Sequence, residues 1–271
     1  APITKYLAAK YSRYIPHAET ITVRHLLNHT SGVPEYNSNP NFVSQVILHP
    51  LKTPSSEEIL QSFEGEEPQF TPGSKYQYTN TNYMLLSLIA DAVTVDHAAY
   101  IRKNIFEPLQ LNNTRYAHDT KYLDGVHVPD SYWDVLNCGR PANITGLQQA
   151  TVVSEKGDDG IVATPVDAVK FLKGLMEGKL LSPQSMQQMM DFVKDEKGHY
   201  RYGMGISYFD PGGITAYGHG GGGIGAGCLL AYIPSHKVYL FMATNIGVIT
   251  ESDLAKKADE MKTAILITLL Q

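Results

Sequence analysis

At 271 residues and 43% hydrophobic content, the chain has room for one large domain or two lobes and enough apolar residues to bury a core. Its net charge of -5 is scattered, with no Lys/Arg cluster, which argues against the phosphate contacts that a nucleic-acid partner needs. No apolar run reaches the roughly 18 to 20 residues that cross a bilayer, and the first residues lack the apolar core of a signal peptide.

The first helix signal is "TITVRHLLNHTSG": Thr20 or Thr22 is an N-cap, a short helix runs from about Val23 to His29, and Gly32 stops it. His25 and His29 stand at i and i+4, as in a helical zinc site. A zincin, however, needs a glutamate after the first histidine, and here Leu26 follows it. With no third ligand at a recognisable spacing, the two read as structural histidines that hydrogen-bond a helix end and its loop. Ser31 lacks the G-x-S-x-G elbow of a nucleophile, and Pro34 stands where an S-x-x-K motif would have its lysine.

A second helix starts at Ser55 with acidic residues in its first turn. Next comes "YTN", Tyr78 to Asn80, at a loop-to-helix junction where a cleft can form, followed by the strongly apolar helix "TNTNYMLLSLIADAVT", whose start is marked by Asn80 and Thr81. A tyrosine has a reference pKa of about 10 and becomes a proton shuttle only beside a cation. Cys138 and Cys228 are far apart and have neither metal-site nor disulfide-framework spacing, so they read as two buried thiols. Two more helices divide at Ser182-Pro183.

After about Tyr200 the texture changes to alternating, aromatic-rich segments, and "GCLLAYI" and "VYLFMATN" are joined by "PSHK" as a β-hairpin would be. "GHGGGGIGAG", Gly218 to Gly227, ends one strand and runs into the next. Its glycines expose backbone N–H groups suited to an oxyanion or carboxylate, and no helix follows to make it a dinucleotide fingerprint. The chain closes with a helix from about Ser252 to Leu269 whose stripe of Leu254, Ala258, Met261, Ile265 and Leu269 is expected to pack on the sheet. The fold class is α/β in the α+β sense: a single domain over residues 1–271, with a mainly helical lobe at 21–195 and antiparallel strands plus a covering helix at 196–271.

In order and spacing, "ITVRHLLNHTSGVP", "FTPGSKYQYTNTNYMLLSLIADAVT", "IFEPLQLNNT", "DDGIVATPVDAVKFLKGLMEGKLLSP" and "GHGGGGIGAGCLLAYIPSHKVYLFMATN" resemble landmarks of the serine β-lactamase/penicillin-binding family. The branch is that of class C β-lactamases, DD-carboxypeptidases and related esterases. The resemblance implies a β-lactamase/transpeptidase-like fold, with Tyr78 as the proton relay and Asn80 binding the acyl-side amide. It matches His219-Gly220-Gly221 to the strand motif that reads K-T-G or H-x-G, and makes Gly222 the backbone donor to the oxyanion hole. His219 would bind a substrate carboxylate or tune Tyr78, and "HLLNHTSG" becomes a landmark near the site with no catalytic part.

The family's nucleophile is the serine of an S-x-x-K motif, and no serine of this sequence has lysine three residues on. "APITKYL" is similar to the segment that follows that motif, so the resemblance implies that the nucleophile, its lysine and the first strands of the sheet lie upstream of Ala1. The expectation is a serine hydrolase acting through an acyl-enzyme on an amide, lactam or ester bond of a small molecule or peptide, without metal or cofactor. Histidine at 219 leans it toward a peptidase or esterase. The competing reading is an inactive relative that binds a peptide, cell-wall fragment or protein partner. The resemblance favours a periplasmic or extracellular location, and the sequence leaves the oligomeric state open.

Overall fold

The computed structural model describes residues 1–52, 54–117, 122–154, 157–247 and 252–269. The helical part begins with α1 (Ala9–Ser12) and α2 (Val23–Leu27). Thr22 is the N-cap of α2. Its hydroxyl accepts the His25 N–H while His25 Nδ1 accepts the Thr22 N–H, so a histidine takes the place usually held by Glu or Gln in a capping box. The helix stops at Leu27, short of the expected His29, which has φ 57° and lies outside it.

From there the chain runs beside the segment that leads to Tyr78. The carbonyls of His29, Thr30 and Gly32 accept the N–H groups of Gln77, Gly73 and Gln69 at 3.0, 2.7 and 2.9 Å. Gly32 sits at φ 75°, and a Cβ there would lie 2.1 Å from the Phe70 carbonyl oxygen, so the close approach of the two strands of chain requires glycine.

Helices α3 (Pro40–Leu48) and α4 (Ser56–Gln61) follow, α4 with a Ser55–Glu58 capping box. The lobe is organised around α5 (Asn80–Thr94), which buries Thr81, Met84, Leu85 and Ile89 at helical spacing. Met84, Leu85 and Ile89 join Ile3, Leu26, Tyr36, Ile59, Leu60 and Phe63 in one apolar core. The helix ends at Val95, a β-branched and almost fully exposed residue forced to φ 73°. Helix α6 (His97–Ile101) turns away from it.

Between residues 114 and 163 the chain forms two small ladders that were not expected: β1 (Thr114–Tyr116) pairs with β4 (Ile161–Ala163), and β2 (Tyr132–Trp133) with β3 (Ala142–Asn143). Strands of two or three residues are too short to show a period in sequence. Helices α7 (Thr145–Ser154), α8 (Pro165–Met176) and α9 (Pro183–Met189) complete this part, the last two divided at Ser182-Pro183 as the sequence indicates. Thr164 and Ser182 cap them with their hydroxyls, each ahead of a proline at the first helical position.

One antiparallel sheet of six strands follows, in the order β10-β9-β8-β7-β6-β5. It is built from β5 (Val193–Lys194), β6 (Tyr200–Tyr202), β7 (Ser207–Phe209), β8 (Ala216–Gly222), β9 (Gly227–Ile233) and β10 (Val238–Thr244). The hairpin read from "PSHK" is the β9–β10 turn. β10 is an edge strand of this sheet.

Helix α10 (Asp253–Leu269) covers the sheet, but on a face one step away from the expected stripe. Ala255, Ala258, Lys262 and Leu266 are buried, and Met261, Ile265 and Leu269 are exposed. Lys262 lays its stem in the interface and reaches Asp259 with its ammonium at 3.2 Å, so a charged residue holds a core position that hydropathy assigns to its neighbours. The expectation of two buried thiols also fails in part: Cys138 is exposed in a loop, and Cys228 on β9 is partly covered. A thiol's burial follows from its place in the fold, which spacing does not reveal.

Two substitutions test this description with opposite signs. Val95→Gly removes the backbone strain at the end of α5 and is expected to raise stability by about 1 kcal/mol in denaturant unfolding. Gly32→Ala pushes a methyl into the Phe70 carbonyl and is expected to lower stability by more than about 2 kcal/mol in the same measurement.

Candidate functional site

Tyr78 sits immediately before α5, and two groups from other segments fix that junction. The Thr79 N–H donates to His29 Nδ1 at 3.3 Å, and the Asn80 N–H donates to Glu35 Oε2 at 2.6 Å. The N-cap Thr79 makes no side-chain cap of its own, so the Glu35 carboxylate supplies the negative charge that the start of α5 favours. Asn80 therefore stands half-buried in the first turn of the helix, directly beside Tyr78.

The Tyr78 ring lies over His29, with centroids 4.2 Å apart, and meets Tyr202 of β6 edge-on at 5.8 Å. It remains 41% exposed, so its rim faces solvent. Across from it, at 6.1 Å between centroids, is His219 of β8. The His219 ring is held at both nitrogens: Tyr202 Oη lies 2.9 Å from Nε2, and Nδ1 meets the Gly220 carbonyl oxygen. Gly220, Gly221 and Gly222 continue the same strand and are exposed.

The ladder explains why that stretch is open. β7 pairs with β8 only at Ala216, Tyr217 and Gly218, so His219 to Gly222 run on past the end of β7 while β9 still pairs with them on the other side. Among the described residues one edge of the glycine run thus has no partner strand, and it can accept a ligand's polar groups. A Cβ on Gly221 would lie 2.7 Å from Cys228 Sγ, whereas Gly220 has ordinary space around it. Beyond the strand, Gln148 of α7 accepts the Gly225 N–H at 2.8 Å and pins the following turn.

The electrostatics are one-sided. Burial, followed by the charges of Asp158 and Glu35, holds the Tyr78 phenol well above the ordinary tyrosine range. His29 is fully buried and is pushed down to about 3 by burial and by neighbouring His219, so it is a neutral ring. Burial lowers His219 as well. Asp158 is pushed up to about 7, chiefly by burial and against the Tyr36 hydroxyl, which donates to Oδ2 at 2.5 Å and favours the carboxylate; among the described residues Oδ1 has no hydrogen-bond partner. In this surrounding Tyr78 is a phenol. A base role requires a cation that these neighbours do not provide.

The structure thus brings Tyr78, Asn80, His219 and the Gly220–Gly222 run to one place. Ser31 is buried and spends its hydroxyl on Asn82 Oδ1 at 2.6 Å while accepting the Val33 N–H, which is structural work. His25 caps α2 and His29 receives Thr79, so both are hydrogen-bonded as expected. No group of three or more His, Cys, Asp or Glu side chains among the described residues could hold a metal ion. Sequence reasoning missed Tyr202, Glu35 and Asp158. "YRYGMGISYF" signalled only an aromatic strand, and neither Glu35 nor the Asp158-Asp159 pair shows from spacing that it faces Tyr78.

The sequence model of the Beta-lactamase family matches residues 1–264. The chain belongs to the β-lactamase family. It is similar to penicillin-binding protein 4* of Bacillus subtilis, 26% identical over 91% of this chain and 56% of that protein. Protein flp of Staphylococcus aureus is 31% identical over 39% of this chain and 22% of its own length. This β-lactamase-family chain therefore spans about half or less of those two relatives.

Among solved structures, a D-stereospecific amidohydrolase from Streptomyces aligns with a TM-score of 0.79 at 24% identity, covering 91% of this chain and 74% of that one. D-amino acid amidase from Ochrobactrum anthropi aligns at 0.75 and 23%, covering 99% and 75%. At these identities the likeness establishes the fold of the family member, a β-lactamase/transpeptidase-like arrangement of helices and sheet.

The Asp158 environment gives a pH signature. Its folded pKa lies above the unfolded carboxylate value of about 4, so the stability it contributes is complete below pH 4 and is lost as pH rises through about 7. Asp158→Asn mimics the protonated acid. It is expected to raise the melting temperature by a few degrees at pH 8 and to change it little at pH 4, as thermal unfolding at the two pH values will show.

Proposed function

We propose that these residues form the substrate cleft and proton relay of a serine hydrolase that cleaves an amide, lactam or ester bond through an acyl-enzyme. The observation that carries this reading is the meeting of Tyr78 and His219, 6.1 Å apart between ring centroids, beside the unpaired edge of the Gly220–Gly222 run. The nucleophile and its lysine come from an S-x-x-K segment outside residues 1–271, since no serine of this sequence has that spacing. Burial and the charges of Asp158, Glu35 and Asp159 keep Tyr78 protonated in these surroundings, so the relay needs a cation from outside them. A lysine ammonium placed beside it would supply the missing positive charge.

With Tyr78 ionised beside that ammonium, the serine oxygen bonds to the substrate carbonyl carbon in the acylation step as its proton passes to the Tyr78 phenolate. The Gly222 N–H stabilises the oxyanion, the bond to the leaving group breaks, and the leaving nitrogen or oxygen takes the proton from Tyr78. Water then attacks the acyl-enzyme, its proton returns to the serine oxygen through the same phenol, and the carboxylic acid leaves. Asn80 orients the acyl-side amide. The amidases among the structural neighbours favour an amide substrate.

Intact mass spectrometry of the natural protein treated with a fluorophosphonate is expected to show one covalent adduct. Tyr78→Phe is expected to lower turnover by about 10²-fold or more, the scale of a lost general base. Wild-type turnover in Tyr78→Phe removes Tyr78 from the chemistry, and absence of any adduct overturns the hydrolase reading in favour of a binding protein.

A further inference from the structure

The far end of α5 carries a second polar cluster, made of groups that the relay does not use. The chain reverses at Val95 and returns His97 to the side of Asp91. Asp91 Oδ1 accepts the His97 backbone N–H at 2.9 Å and lies 2.6 Å from the ring Nδ1. On its other side the buried ring meets Tyr116 of β1, whose Oη is 2.8 Å from Nε2. A carboxylate only accepts, so Nδ1 donates to Asp91, and in the neutral ring Nε2 is left to accept the Tyr116 hydroxyl. The phenol oxygen in turn accepts the Gly157 N–H.

Gly157 is seated where no side chain fits. A Cβ there would lie 2.5 Å from the Tyr83 carbonyl oxygen and 2.7 Å from Ser87 Cβ, both on α5. Three residues on, the Gly160 carbonyl accepts the Ala117 N–H at 2.7 Å, and a Cβ on Gly160 would lie 3.0 Å from the Tyr116 ring. The turn from Gly157 to Gly160 is therefore pressed between α5 and the Tyr116-Ala117 segment. Asp158 lies in that turn and accepts the Tyr36 hydroxyl at 2.5 Å, while the Tyr36 N–H donates to Thr81 Oγ1, one residue after Asn80.

We infer that Asp91, His97 and Tyr116 form a hydrogen-bonded strut that positions the Gly157–Gly160 turn, and with it Asp158, at the Tyr78 site. All three are positioning residues and touch no substrate. The bearing of the strut on catalysis rests on the hydrolase reading, whereas the strut itself does not. The Asp158 charge acts on the Tyr78 phenol, so a shift of this turn changes the surroundings of the phenol while every residue of the cleft stays the same.

Nitrogen-15 NMR of the histidine rings at about pH 7.5 is expected to show His97 with its proton on Nδ1 and Nε2 bare; a proton on Nε2 overturns the inference. Tyr116→Phe removes the acceptor of the Gly157 N–H, and amide hydrogen exchange at Gly157 is expected to quicken by about tenfold or more. His97→Gln offers a side-chain carbonyl to the Tyr116 hydroxyl and is expected to keep the Gly157 protection within about twofold. His97→Asn reaches Asp91 alone and is expected to lose that protection as Tyr116→Phe does. Unchanged exchange in folded Tyr116→Phe, or equal protection in the Gln and Asn variants, overturns the strut.

The link to the site reads out at Tyr78. Its ring Cζ resonance, assigned by comparison with Tyr78→Phe, is expected to move in Tyr116→Phe and in Asp158→Asn. In the double variant it is expected to move no further than in Asp158→Asn alone, because both changes act through the same carboxylate. An unmoved resonance in Tyr116→Phe, or fully additive shifts, overturns the positioning role. A failure of the hydrolase reading looks different: the fluorophosphonate adduct would be missing while the His97 tautomer, the Gly157 exchange and the Tyr78 resonance behave as stated.

Discussion

The site depends on one neutral ring. His29 is buried with Nδ1 facing two donors, the Thr79 N–H and the Asn82 side-chain amide, and an imidazolium could accept from neither. Holding it neutral keeps the turn into α5 in place, and the Tyr78 ring rests on its face. The backbone hydrogen bonds from Gln69, Gly73 and Gln77 to residues 29–32 then fix the approach of that segment. The short stretch "HLLNHTSG" is thus the seat on which Tyr78 is mounted. The position of the phenol follows from it.

The helical lobe and the sheet are joined at this point by rings as well as by chain. Tyr83 of α5 donates its hydroxyl to the Leu27 carbonyl at the end of α2, while Tyr202 of β6 packs edge-on against His29 and reaches His219. Aromatic pairs in such geometry contribute roughly 0.5 to 1.5 kcal/mol each beyond the area they bury. Here they also set the spacing between Tyr78 and His219. A displacement of β6 relative to α5 would therefore change the cleft before it changed either core.

Much of the fold was legible in the sequence because its signals are strong and local: the long apolar α5, the capped and proline-led α8 and α9, and the β9–β10 hairpin all stand where pattern places them. The grouping of Tyr78, Asn80 and His219 to Gly222 was legible only through the resemblance, since nothing in spacing brings residue 78 to residue 219. What escaped is what depends on long-range packing. Tyr202 and Asp158 acquire meaning from neighbours far along the chain, and the short ladders of β1 to β4 have no period. The buried face of α10 is decided by Lys262, whose aliphatic stem is worth more in the interface than its charge suggests.

The edge position of β10 bears on how the molecule behaves among copies of itself. Among the described residues Val238 to Thr244 form a seven-residue ladder that pairs with β9 on one side only, and α10 leaves Met261, Ile265 and Leu269 exposed. An unpaired strand edge beside exposed apolar side chains is a growth point for intermolecular β-pairing. The colloidal state of a sample is therefore a direct report on whether that edge is covered.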